Sequence, residues 1–320
     1  MTSRIEQSSC NINQLALVNI LLCTRNGAKY LQEQLDSIFQ QDYKNITLWI
    51  SDDGSTDNTF EILKKQQAIY GEDRIHILNG PQQGFAANFL SLVTNPEIDG
   101  DYFAFSDQDD IWEKDKISRA IAQLKSMPQS KPLLYCGRTR LVDTHNKEIG
   151  YSGLYTKKPS FANAIVQNIA AGNTMVFNKI ARDTLLRVSK NIDVVYHDWW
   201  VYIVVTALDG EVYFDAYPSL RYRQHANNQI GSNKDLFAKL FRLKFLLKGR
   251  FKKWNDTNLA AIKNLENELP PKNKQLYENF CAARKGTLYA RMLGILKSGV
   301  YKQTSLNNLG LIAATLLNRI

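Results

Sequence analysis

The 320-residue chain is 44% hydrophobic and 22% charged, the proportions of a folded protein with a substantial core. Its four cysteines (Cys10, Cys23, Cys136, Cys281) lie far apart, which argues against a zinc site or disulfide framework and fits a reducing compartment; the first dozen residues lack an apolar leader core, and no apolar run is long enough to span a bilayer. The net charge of +9 is uneven, since 233–320 holds 17 Lys or Arg against 5 Asp or Glu, and such a basic part is either a solvated face or the partner of an anionic surface.

In chain order, "LALVNILLC" (15–23) is a continuous apolar run ending in "TRNG" and reads as a buried parallel strand. "AKYLQEQLDSIFQQ" follows as a helix, with Leu31, Leu35, Ile38 and Phe39 at helical spacing. "NITLWIS" (45–51) is a second strand; its turn "DDGSTDNT" leads into a helix carrying Phe60, Ile62 and Leu63. "RIHIL" (74–78), the helix "GFAANFLSLV" and the strand "DYFAFS" (101–106) complete a βαβαβαβ alternation, which predicts a mostly parallel sheet with helices on both faces. The rhythm then changes. "LLYCGRTRLVD" (133–143) and "GNTMVFN" (172–178) read as strands of a mixed sheet, "HDWWVYIVVTALDG" (197–210) as an apolar helix closed by Gly210, and "EVYFD" and "SLRYRQH" as short strands. From about 233 the pattern is helical to the end.

In an open sheet of this kind ligands bind beyond the carboxyl ends of the strands. Three polar clusters fall at such ends: "TRN" (24–26), "DDGS" (52–55) and "DQDD" (107–110). Asp107, Asp109 and Asp110 are the most demanding, because like charges so close disfavour each other's ionisation. A hard divalent cation, Mg2+ or Mn2+, would remove that repulsion and takes oxygen ligands. The competing reading is an acidic turn that caps the helix "EKDKISRAIAQL".

The order "CTRNGAKYLQEQLDSIFQQ", "ISDDGSTDNT", "GFAANF" and "FSDQDDIWEKDKI" resembles the nucleotide-sugar half of family 2 glycosyltransferases with the GT-A fold, over about 15–127. "SDQDDIW", with "HDWW" and "YRQHANNQIG" further on, is similar to the bacterial rhamnosyltransferase branch and carries the resemblance to about 232. The resemblance implies a GT-A catalytic domain over 1–232 (acceptor half about 128–232) and a basic helical region over 233–320. It implies that Asp107 and Asp109 form the Asp-x-Asp metal motif, with Asp109 the direct ligand, and that Asp53 pairs with the pyrimidine N–H of the donor. Thr24 and Arg25 fall where the first strand meets the nucleotide, though many members carry Tyr at the position of Arg25. Asn88 lies on the wall beside the phosphates. Asp198 matches the acid-base position, against the alternative that it caps the helix "WWVYIVVTAL". His225 sits where relatives close a basic or metal-binding residue over the diphosphate, with Arg223 as an alternative diphosphate partner. His197 is left without a role, and Trp112, Trp199 and Trp200 are either sugar platforms or core.

The implied activity is inverting, metal-dependent transfer of L-rhamnose from dTDP-L-rhamnose to a lipid-linked cell-surface glycan, on the cytoplasmic face of the bacterial membrane. A UDP-hexose donor is the rival within the class. A non-catalytic scaffold with a degenerate site is the rival outside it, and intact Asp107, Asp109 and Asp198 speak against that. A metal-dependent nuclease or phosphotransferase would leave the "TRN" and "DDGS" stations unexplained. In "DLFAKLFRLKFLLKGRFKKW" (235–254) an aromatic stripe runs beside lysines and arginines, which suits an anionic membrane, with packing on the catalytic domain or a homodimer as alternatives. No nucleic-acid motif is present, so no nucleic-acid partner is expected. "SLNNLGLIAATLLNRI" is too short to span and is expected to pack.

Overall fold

A computed structural model describes residues 15–190, 192–225 and 249–320. Strands β1 (Val18–Thr24), β2 (Ile46–Asp52), β3 (Ile75–Asn79) and β4 (Tyr102–Ser106) alternate with helices α1 (Ala28–Phe39), α2 (Thr59–Tyr70) and α3 (Phe85–Val93), as the apolar runs predict. Every residue of β1 is buried, which fits a central parallel strand covered on both faces. β1 pairs in parallel with β2 and with β4, and the register sets Thr24 opposite Asp52 and Leu22 opposite Ser106. That alignment brings the three polar loops to one edge of the sheet.

The second half departs from the expected strands in instructive ways. The run 133–143 divides into β6 (Leu133–Gly137) and β7 (Arg140–Val142), which belong to different sheets. The run 172–178 is a 3-10 turn, Gly172–Thr174, followed by β9 (Val176–Asn178). β9 runs antiparallel between β4 and β6, so the turn before it lies at the carboxyl end of β4. The large sheet has the order β10-β6-β9-β4-β1-β2-β3, with β10 (Glu211–Asp215) parallel to β6 at the edge. A small sheet has the order β5-β11-β7-β8, where β5 is Ile111–Trp112, β8 is Glu148–Tyr151 and β11 is Leu220–Arg223. β5 is too short to be visible as a pattern. Its antiparallel pairing with β11 nevertheless fixes the site, because it delivers His225 to the loop that ends at Asp110.

Helices α4 (Lys116–Lys125), α5 (Phe161–Ala164), α6 (Lys179–Val188) and α7 (His197–Ala207) complete this part. One sheet face is covered by Leu31, Leu35, Ile38, Ile117 and Leu124 of α1 and α4. The other is covered by α3, α6 and α7, and α7 is buried almost all round. Trp112, Trp199 and Trp200 are all buried, and the two on α7 donate to the Ala164 carbonyl and the Ser189 hydroxyl. They are core residues rather than sugar platforms.

Of the basic helix expected over 235–254, the stretch 235–248 lies outside the described residues; 250–254 opens α8 (Arg250–Lys263). α9 (Pro271–Lys285), α10 (Leu288–Ser298) and α11 (Ser305–Leu316) follow. Leu259, Ile262, Phe280, Leu311 and Ile320 join the same apolar core as α7. Among the described residues no helix is long and apolar enough to cross a membrane.

Phe177 on β9 is fully buried and packs against Phe103 and Phe105 of β4, at ring-centroid distances of 5.9 and 5.2 Å. Phe177→Ala should therefore cost about 3–5 kcal/mol of stability. Denaturant unfolding followed by circular dichroism checks this; a loss below about 1 kcal/mol would mean the junction of parallel and antiparallel halves is not held by this cluster.

Candidate active site

The two aspartates of "DDGS" face opposite ways. Asp52 is committed to the turn: its carboxylate accepts from the Thr24 hydroxyl at 2.7 Å, from the Ser55 hydroxyl at 2.6 Å and from the Ser55 amide at 2.8 Å. Asp53 donates its own amide to the Thr24 carbonyl at 2.8 Å. Its Oδ1 accepts from the Gln82 amide at 2.6 Å, and its Oδ2 lies 3.9 Å from Nη1 of Arg25. Arg25 itself is well exposed, whereas Asp53 is buried. Asn88 is buried as well and clamps α3 to β2, accepting from the Ser51 hydroxyl at 2.5 Å and donating to the Ser51 carbonyl at 3.0 Å. The side-chain polar atoms of Thr24 and Asn88 are thus engaged by Asp52 and Ser51, and the Thr24 carbonyl anchors the Asp53 amide.

The loop after β4 is tied to the loop after β1 by a residue the sequence reading passed over. Gln108 accepts from the Arg25 amide at 2.8 Å and donates to the Arg25 carbonyl at 3.1 Å. A β-carbon on Gly27 would stand 2.3 Å from Oε1 of Gln108, so only glycine allows this approach. Asp109 is held from the other side. Its carbonyl accepts from Nε of Arg223 at 3.1 Å, and its Oδ2 meets Nε2 of His225 at 2.7 Å. His225 stacks on Tyr30, with ring centroids 5.4 Å apart. Arg223 is buried, paired with Glu33, and donates to the Thr144 carbonyl as well, so it braces the loop rather than standing open to a diphosphate.

Asp110 is fully buried and accepts from the Asn173 amide at 2.6 Å. Burial, and then the charges of Asp107 and Asp109, push its carboxyl far above the usual range. Lys116, also fully buried, has its ammonium 4.0 Å from the centre of the Trp112 ring; burial pushes it down to about 7 against the opposing pull of Asp110. Burial, then Asp109 and Asp198, push Asp107 up to about 8. The aspartates of the acidic loop precede the N-cap of α4, which is Asp115, and Asp115 itself makes no side-chain capping bond, so the loop is a cluster of interacting carboxylates rather than a helix cap.

Asp198 lies in the first turn of α7, while the N-cap is Tyr196. Its Oδ2 accepts from the Gly172 amide at 3.1 Å and its Oδ1 from the Trp199 amide at 2.7 Å. Burial pushes it up to about 6 against these bonds. The turn Gly172–Thr174 links α7 to the acidic loop, since its Gly172 amide donates to Asp198 and its Asn173 side chain donates to Asp110. His197 turns the other way, stacked 3.9 Å from the Phe89 ring and edge-on to Phe105, and burial pushes it down to about 3. It is a neutral packing residue. A β-carbon on Gly172 would come within 2.7 Å of its Nε2, so glycine is what lets the 3-10 turn reach Asp198.

Among the described residues no three His, Cys, Asp or Glu side chains form a ready ligand cage. The donor chemistry still fits a hard divalent ion: the charge of Asp109 adds to burial in raising Asp107, which a counter-charge would relieve, and a histidine nitrogen adjoins Asp109. Mg2+ sites of this type use one or two carboxylates and take remaining oxygens from substrate phosphates.

The sequence model described as Glycosyl transferase family 2 matches residues 19–187, more than half of the chain. A dTDP-rhamnosyl transferase, RfbG of Shigella flexneri, is 33% identical over 260 residues, 76% of this chain and 83% of the relative. An uncharacterized glycosyltransferase of Rickettsia prowazekii, RP339, is 27% identical over 69% of this chain and 70% of its own length. Residues 1–349 of S. aureus TarS, solved with UDP-GlcNAc, superpose with a TM-score of 0.55 at 13% identity over 88% of this chain and 89% of that one. The chain belongs to glycosyl transferase family 2, and its fold is the GT-A arrangement.

Gln108→Ala should remove both bonds to the Arg25 backbone, costing about 1 kcal/mol and speeding hydrogen exchange at the Arg25 amide. Exchange at Arg25 as slow as in the parent would contradict the bridge.

Proposed function

We propose that this member of glycosyl transferase family 2 is an inverting, metal-dependent rhamnosyltransferase that moves L-rhamnose from dTDP-L-rhamnose to a lipid-linked cell-surface polysaccharide precursor. The observation that supports the chemistry is the turn Gly172–Thr174 at the carboxyl end of β4, whose Gly172 amide donates to Asp198 while Asn173 donates to Asp110 of the acidic loop, with Asp53 two strands away. The donor assignment is supported by the 33% identity to the dTDP-rhamnosyl transferase. The protein works from the cytoplasmic side of the bacterial cell membrane, where such an acceptor is built.

Asp53 accepts the N–H of the donor's pyrimidine ring, a bond a buried carboxylate with one oxygen already fixed by Gln82 can aim. Arg25, beside it and exposed, borders the same nucleotide. Asp107, Asp109 and His225 hold Mn2+ or Mg2+, which when bound supplies Lewis-acid stabilisation of the charge on the departing diphosphate. Asp198 takes the proton of the acceptor hydroxyl. The acceptor oxygen bonds to the anomeric carbon from the face opposite the phosphate, and the carbon–phosphate-oxygen bond breaks with its electron pair leaving on dTDP. The amides of Gly172 and Trp199 orient Asp198, and burial tunes its proton affinity toward neutral pH.

Asp198→Asn should leave dTDP affinity unchanged and lower kcat by roughly 10²–10⁴. Because the base acts when ionised and sits at about 6, kcat/KM of the parent should climb as pH rises through about 6 and level off above it. A variant within a few-fold of the parent, or a parent profile with no acid limb, would remove Asp198 from the chemistry.

Titration calorimetry with dTDP and Mn2+ separates the two halves of the donor site. Asp109→Ala should abolish the metal-dependent part of the affinity, and Asp107→Ala should weaken it less. Asp53→Ala should lose about 1.5–3 kcal/mol whether or not metal is present, the cost of one hydrogen bond to a charged group. Parent-like isotherms in either case would refute the corresponding role.

A further inference from the structure

α11 has two apolar sides. Leu311 and Ala314 are buried against the core. Leu306, Leu309, Ile312, Leu316 and Leu317 fall within one arc on the opposite side and are exposed, Leu306 by 66% and Leu309 by 62%. No residue of the stretch 305–317 is charged. An outward helix face normally carries the polar residues; here it carries leucines. α10 repeats the feature: Ile295 and Ser298 are buried, while Leu288, Tyr289 and Leu296 are exposed, Tyr289 by 75% and Leu296 by 73%. The two helices pack together, and Arg291 of α10 reaches the Leu316 carbonyl at 3.4 Å.

Along this part of the chain the charge has a single sign. From 279 to the last residue there is no Asp or Glu side chain, against six Lys or Arg. Lys285 and Lys297 flank α10, Arg319 follows α11, and all three are exposed. An isologous contact with a second copy would set this cationic rim against itself. An anionic lipid surface complements both parts, with the leucines entering the acyl boundary and the rim meeting the headgroups.

We propose that the exposed face of α10 and α11 is the surface by which this protein docks on anionic membranes. The inference deepens the membrane setting of the proposed function and rests on that setting, not on the transfer chemistry. The helical region that carries this face shares one apolar core with α7. α8, in the same core, places Trp254 edge-on to Tyr196 and Trp199, at 5.6 and 6.1 Å, on the turn that carries Asp198.

Co-sedimentation of the full chain with phosphatidylglycerol or phosphatidylcholine vesicles, at low and high salt, tests the proposal. The parent should sediment with phosphatidylglycerol and stay in solution with phosphatidylcholine. Leu306→Ser/Leu309→Ser/Leu316→Ser should lower the bound fraction at least about tenfold at both salts, with an unchanged melting temperature because the positions are exposed. Lys285→Glu/Lys297→Glu/Arg319→Glu should release the protein as well, and high salt should weaken the parent for the same reason. Nucleotide release from the donor in solution should be the same in both variants as in the parent, which separates failure of docking from failure of the transfer reading. Three results would overturn the proposal: a parent that never sediments, a leucine variant that sediments as the parent does, or a parent dimer that the leucine variant dissociates.

Discussion

Repulsion among carboxylates at the end of β4 is the constraint on which the rest of the site depends. Asp107, Asp109 and Asp110 leave the sheet within four residues, and Asp198 of α7 is tied to the same turn, Gly172–Thr174, whose Asn173 donates to Asp110. Burial makes the charges of Asp107 and Asp110 harder to keep, which is why Asp107 is pushed up to about 8 and Asp110 well above the usual range. The surrounding structure answers with fixed dipoles and cations that stop short of neutralising the cleft. Asn173 donates to Asp110, Arg223 donates to the Asp109 carbonyl, and Lys116 lies buried near Asp110. The buried partners stabilise the base of the loop. In the proposed function, the cation that Asp107 and Asp109 call for is the one that would arrive with the diphosphate.

That arrangement follows from strand register. Parallel pairing of β1 with β2 and β4 brings Thr24, Asp52 and Ser106 to the same edge, so three loops far apart in sequence become neighbours. The short β5–β11 ladder adds His225 from more than a hundred residues away. The Gln108 bridge then joins the loop after β1 to the acidic loop through the Arg25 backbone. Few of these links are strong singly. Together they hold opposed functional groups in a cleft whose own charges would drive it apart.

The first four strands and three helices were legible because buried parallel strands give unbroken apolar runs and their helices give clean 3.6-residue spacing. β5 was not, since two residues carry no period, and the division of 133–143 was not, since "GRT" reads as a continuing strand until the second sheet claims its far half. At the site, residue type and loop position were readable for Asp53, Asp107, Asp109 and Asp198, while side-chain direction was not. Thr24 turns to Asp52 and Asn88 to Ser51 because of cross-strand and helix–strand neighbours that a linear sequence does not display. Gln108 was hidden by its place as the variable letter of Asp-x-Asp; the glycine at 27, which makes room for it, was the available signal. The last helix was expected to pack, and it does so by Leu311, Ala314 and Thr315, leaving its other apolar side outward.

The most direct test of the account is a panel of nucleotide sugars, each incubated with the protein and Mn2+, with and without a chelator, and scored for release of free nucleoside diphosphate. The account predicts release of dTDP from dTDP-L-rhamnose in preference to UDP from UDP-hexoses, and loss of that release when the metal is removed. Absence of release from every donor, or release that the chelator leaves unchanged, would contradict it.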